Sequence, residues 1–309
     1  MKHLLVLLIF IIFLLTVIIS SDRILPAYSV KSLTFRSESM EMIKEFFGFG
    51  GYNRPVEGYM SFEHLSFVTF LMIVMVMLSI YFGRRYANKD LKEKNKVLLI
   101  AAILIDSFEL FKIIITCIRG NDPFGWLYEL PLFLCSIQLI TIPLAALSKG
   151  RVKEASLDFV FIFGILGAVL GTYAAGNNYS CYPVLSFDNV VSGITHAISG
   201  FSSLYIAISG MTSMKRKNFI ISFSIMSSFA IMAYIANVLL DYNYMFLLRG
   251  DGPPYDIVYN FVKGDKVLYP TLVVLLFAVY MAVFYQVYYL IVKLKQNNNF
   301  KIRLLFSHR

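Results

Sequence analysis

Apolar residues along this chain gather in long runs, not at alternating or heptad positions. Eight runs approach the roughly 20 apolar residues that a helix needs to cross a bilayer. They lie at about His3–Ser20, Leu65–Phe82, Val97–Cys117, Leu130–Leu147, Ala155–Ala174, Val190–Gly210, Phe219–Leu240 and Thr271–Lys293. The pattern predicts an all-α fold, a polytopic transmembrane helical bundle of about eight spans. The first run follows Lys2 and ends in VIISSD, without a small-x-small cleavage pattern, which predicts an uncleaved signal anchor. A long segment, 21–61, separates it from the second run. Met40, Ile43 and Phe47 fall there at helical spacing, so a short surface helix is expected near 37–47. The second long connection, 241–270, contains GDGPPYD and reads as a structured loop. Gly164, Gly167 and Gly171 in the fifth run predict close helix packing.

Composition agrees with the runs. Of 309 residues, 58% are hydrophobic and only 15% charged, against about a quarter charged in a soluble domain. Mean hydropathy is +0.69. With the N-terminus inside, the inner segments hold twice as many Lys and Arg as the outer ones, so both termini are predicted cytoplasmic. That bias accounts for most of the net charge of +9, and no nucleic-acid partner is needed. The expected partners are membrane lipids, with the basic tail NNNFKIRLLFSHR against anionic headgroups. The expected location is the cell membrane, multi-pass. No nucleotide-binding glycine motif stands out, and no cofactor or metal site is expected.

Ionisable and amide groups inside a membrane are costly and usually face a bundle interior or a cavity. Placed on this topology at about 1.5 Å per residue, they share the outer half. Cys135 and Gln138 fall in the fourth run, His196 in the sixth, and Glu109 and Lys112 in the third. Glu129 and His64 start their runs at the outer surface, Asn237, Asp241, Asn243 and Tyr244 cluster at the outer end of the seventh, and Asp106 sits nearer the middle. The skew predicts an outward-facing polar pocket lined by His64, Lys112, Gln138, Asn237, Asn243 and Tyr244. Each residue also has a plain alternative: Glu109 and Lys112 neutralising each other at i,i+3, Cys135 as a small buried hydrophobe, His196 as a satisfied bundle histidine, Asn237 as interhelical glue. Cys117 and Cys181 fall on the same, oxidising side and are a candidate disulfide pair.

Four stretches carry a resemblance. LPLFLCSIQ resembles the LPLHLCS signature of the YwaF family of bacterial integral membrane proteins. FEHLSFVTFLMIVMVMLSIYFGRR, YPVLSFDNVVSGITHAISGFSSLYI and NVLLDYNYMFLLRGDGPPYDIV are similar to later or earlier segments of that family, in the expected order. The resemblance implies a core over 62–295, preceded by an N-terminal signal-anchor and extracytoplasmic piece over 1–61 and followed by a cytoplasmic tail, 296–309. Phe133 stands where the signature has His. The family is distantly similar to a eukaryotic multispanning family linked to acyl transfer onto ether phospholipids through a membrane cysteine. Two functions are therefore expected to compete. One is a lipid acyltransferase or acyl hydrolase with Cys135 as nucleophile, His196 as base, Glu109 orienting the imidazole, and Gln138 or Asn243 donating to the oxyanion. The other is a non-enzymatic transporter or receptor for a small polar molecule or lipid headgroup.

Overall fold

The computed structural model describes residues 40–307 apart from Pro253, with side chains as far as Leu294. The first predicted span, His3–Ser20, lies outside the described residues. Contacts divide the chain into two units, 1–45 and 46–309. Residues 40–47 are helical, within the surface helix expected near 37–47. Beyond them come α1 (Phe62–Tyr86), α2 (Leu91–Gly120), α3 (Gln138–Leu147), α4 (Gly150–Tyr173), α5 (Gly176–Cys181), α6 (Phe187–Ile208), α7 (Asn218–Leu240), α8 (Tyr255–Phe261) and α9 (Leu268–Ser307). All regular structure among the described residues is helical, and five helices are long and apolar enough to cross a membrane.

Local chemistry sets several helix starts. Ser61 Oγ accepts from the His64 N–H at the start of α1, Asp90 from Glu93 N–H at the start of α2, and Ser186 from Asn189 N–H at the start of α6. Each satisfies one of the donors that a first turn leaves unpaired. α2 ends at Asn121, which takes the left-handed conformation at φ 47° that Asn tolerates better than most residues.

The fourth predicted span departs from a continuous helix. Only Gln138–Leu147 is helical, about 15 Å of the roughly 30 Å of hydrocarbon. Pro131 has no N–H and disfavours helical geometry in Leu130 before it. The preceding chain therefore runs in turns, and such backbone is tolerated at membrane depth where protein covers it. The far end of this half-helix is closed by a side chain. Buried Lys153 donates to Ala145 O at 2.7 Å and Ala146 O at 3.2 Å, and to Asn95 Oδ1 at 2.9 Å.

The core of the bundle is the pair α4 and α6, with α1 packed on α6 and α3 on α4. Half of the α6 span is buried, against 22% for α1 and α7, so α6 is the central helix. Glycine permits the approach. A Cβ on Gly164 would stand 2.8 Å from Ser199 O, and one on Gly200 would stand 2.6 Å from the Ala168 Cβ. At the other end, buried Asp158 of α4 accepts from Ser213 N–H, Met214 N–H, Ser213 Oγ and Asn218 Nδ2, fixing the link from α6 to α7.

Replacing Lys153 by Met leaves two buried carbonyls without a donor, at about 1–3 kcal/mol for such a group. Lys153→Met is expected to lower the thermal midpoint in detergent by several degrees, read by tryptophan fluorescence or a thiol-independent dye. An unchanged midpoint would mean that water reaches those carbonyls.

Candidate functional site

Cys135 sits in the turns that lead into α3, three residues before its first helical residue. Among the described residues, the backbone N–H groups of Phe133, Leu134, Cys135 and Ser136 have no backbone or side-chain acceptor. These are the free donors of a helix start, and the helix dipole points its positive end the same way. An N-terminal turn of this kind favours a thiolate.

His196 comes to it from α6. Two glycines one turn apart on α4 make the room. A Cβ on Gly167 would rest 3.5 Å from Cys135 Cβ, an ordinary contact, whereas one on Gly171 would lie 2.0 Å from His196 Nε2 and Cδ2. The imidazole thus occupies the volume a side chain at 171 would fill. Its Nδ1 lies 2.7 Å from Ser192 O. A carbonyl only accepts, so Nδ1 carries the proton and Nε2 holds the lone pair. Nε2 is buried without a hydrogen-bond partner, and the Cys135 thiol lies near enough to the ring for each group to act on the other's charge. Pairs of this kind are often loose at rest and tighten with substrate.

Glu109 is within electrostatic reach of both groups, yet it does not orient the imidazole as expected. Its carboxylate is taken by Lys112 at 2.6 Å, and Lys112 also pairs with Glu129 at 3.0 Å. The orienting atom is the Ser192 carbonyl. Gln138 is fully buried three residues from Cys135; Oε1 lies 3.2 Å from Thr141 Oγ1, and Nε2 has no partner. Asp106, on α2, has one buried oxygen without a partner.

The other expected pocket residues are occupied with structure. His64 is buried with both nitrogens used: Met60 N–H donates to Nδ1, and Nε2–H donates to Thr172 O, each at 3.1 Å. Its ring lies on Tyr179 at 3.9 Å. Asn237 donates to Tyr244 O at 2.9 Å and accepts from Tyr244 N–H at 2.6 Å. Asn243 donates to Arg249 O and accepts from Leu248 and Arg249 N–H, so it is not free to serve an oxyanion. Tyr244 donates its hydroxyl to Leu127 O at 2.6 Å. Together they hold a loop in which Met245 and Phe246 adopt φ of 53° and 57°, strain that persists only where the surroundings enforce it. Phe133 packs edge-on against Tyr244 at 5.2 Å. Cys117 and Cys181 are free thiols, so the candidate disulfide is not formed.

Three features escaped the sequence. Gly171 was legible as a packing glycine but not as the seat of His196, and the Ser192 carbonyl has no side-chain signature beyond its i−4 position. A third, at the α6 start, is the bidentate pair of Arg119 with Asp188 at 2.6 and 2.8 Å, which Tyr52 joins through its hydroxyl at 2.6 Å. Burial and the Asp188 carboxylate hold the Tyr52 phenol well above its ordinary range.

These helices and their buried polar side chains define a multi-pass α-helical membrane protein. The chain belongs to the TMEM164 family, whose profile matches residues 59–292 and so spans α1 to most of α9. No curated protein and no solved structure matches.

Gly171→Ala is expected to destabilise by about 1–3 kcal/mol, as overpacking does, and Gly167→Ala by much less. Thermal midpoints of the two variants compared in the same detergent check this. Equal midpoints would contradict the seating of the ring at Gly171.

Proposed function

We propose that the protein is a lipid acyltransferase or acyl hydrolase working through Cys135 and His196. The observation that carries this is the approach of the Cys135 thiol to a His196 ring whose Nδ1 is pinned by Ser192 O, leaving the Nε2 lone pair free. In the first step Nε2 takes the thiol proton and sulfur attacks an ester carbonyl carbon. The C–S bond forms, the carbonyl oxygen becomes an oxyanion, and the free N–H groups of residues 133–136 or the Gln138 carboxamide donate to it. The C–O bond to the glycerol oxygen then breaks, and Nε2–H protonates that oxygen, giving a lysolipid and an acyl-thioester. In the second step an acceptor hydroxyl or water yields its proton to Nε2, attacks the thioester carbonyl and restores the thiol. In this account the chain crosses the membrane eight times with both termini inside, and the site lies in the outer half.

The competing binding or transport role needs free polar side chains. His64, Asn237 and Asn243, which would line such a pocket, spend their hydrogen bonds on backbone groups. Glu109 and Lys112 spend theirs on each other and on Glu129. This favours the chemical role.

The test is the intact mass of the purified protein after incubation with phospholipid donors, before and after neutral hydroxylamine. An acyl-sized, hydroxylamine-labile adduct is expected in the wild type and absent in Cys135→Ala, and it should form far more slowly in His196→Ala. An adduct that survives Cys135→Ala, or none in the wild type, would sink the proposal.

A further inference from the structure

We propose that the apolar groove between α8 and α9 holds the acyl chain of the phospholipid whose ester is presented to Cys135; the inference rests on the acyl-transfer role above. Ile257, Val258 and Phe261 of α8 form one wall, and Leu272, Leu276 and Val279 of α9 the other, around a space of about 310 Å³. That volume is at the lower end of ligand-sized cavities. The α9 residues stand at i, i+4 and i+7, one stripe along about 10 Å of helix axis. No polar side chain lines the groove, so it has nothing with which to recognise a headgroup and suits hydrocarbon alone. α9 is a candidate membrane span from Leu268 onward, which makes bilayer lipid the medium that bathes the groove.

Packed aromatic rings join the groove wall to the turn that carries Cys135. Val258 belongs to both the groove and the packed core, and Tyr255 lies one turn before it on the same face of α8. The Tyr255 ring lies 4.6 Å from that of Phe246, which in turn lies 5.8 Å from that of Phe133, two residues before Cys135. Cys135 is close enough to be felt by the Tyr255 phenol, which burial first and then the nearby sulfur push up to about 12. A chain lying along Leu272–Val279 and passing Val258 would bring its carbonyl end toward this aromatic corner. Ile257 and Phe261 are 67% and 81% exposed, leaving the groove open sideways to the bilayer, so a lipid can slide in without leaving the membrane.

The experiment compares hydroxylamine-labile adducts formed in detergent from two phospholipid donors, one hexanoyl and one oleoyl. The wild type is set beside Leu276→Trp, Val279→Trp, and Leu290→Trp, an exposed position on α9 beyond the groove. The groove-filling variants are expected to lose oleoyl adduct at least about tenfold relative to hexanoyl, the order expected when a few methylenes lose their burial. Leu290→Trp should keep the wild-type ratio. An unchanged ratio in Leu276→Trp and Val279→Trp, in folded protein that still acylates Cys135, overturns the groove and leaves the chemistry standing. If those variants change the particle mass instead, with the ratio intact, the groove is a contact between copies and the proposal falls. No adduct in the wild type with either donor removes the acyl-transfer role and the groove with it.

Discussion

At Gly171 the His196 ring occupies the space that any other residue would fill with its Cβ, 2.0 Å away. The rest of the site depends on that substitution of a ring for a side chain. α6 can lie against α4 only where glycine lets it, and Gly164 and Gly200 set the same close approach deeper in the pair. With the helices fixed this near, the imidazole has one place to go, and its Nδ1 falls on the Ser192 carbonyl of its own helix. The turn that carries Cys135 packs against Gly167, one helical turn from Gly171 on α4. Packing and tautomer follow from one missing methyl group.

The half-helix supplies the other partner. A continuous span at 130–147 would have satisfied its own backbone and hidden the N–H groups around Cys135. The proline-bearing turn exposes them instead, and Lys153 closes the opposite end by donating to Ala145 and Ala146. Interrupted helices cost stability in a membrane because each unpaired backbone group is expensive there. The interruption lies beside the half-buried Cys135 thiol, so the free donors gather around that residue.

Much of the fold was legible because apolar runs report membrane spans directly, and the helices over 62–86, 150–173, 187–208 and 218–240 follow the predicted runs closely. Hydropathy does not register backbone geometry, so the run at 130–147 read as a full span although only Gln138–Leu147 is helical. For the site, residue type and depth pointed to Cys135, His196 and Gln138. They also pointed to His64, Asn237 and Asn243, because depth cannot tell a side chain that faces a cavity from one that staples a loop. Glu109 was read as the group that orients His196, since carboxylates commonly do so. A main-chain carbonyl four residues back took that position, and such an atom is the same in every residue.

The most direct measurement is nitrogen NMR of protein labelled at histidine, with the His196 signals assigned by loss in His196→Ala. The account predicts a protonated Nδ1 and an Nε2 resonance that shifts when Cys135 is replaced by Ala. An Nδ1 without its proton, or an Nε2 signal indifferent to Cys135→Ala, would contradict it.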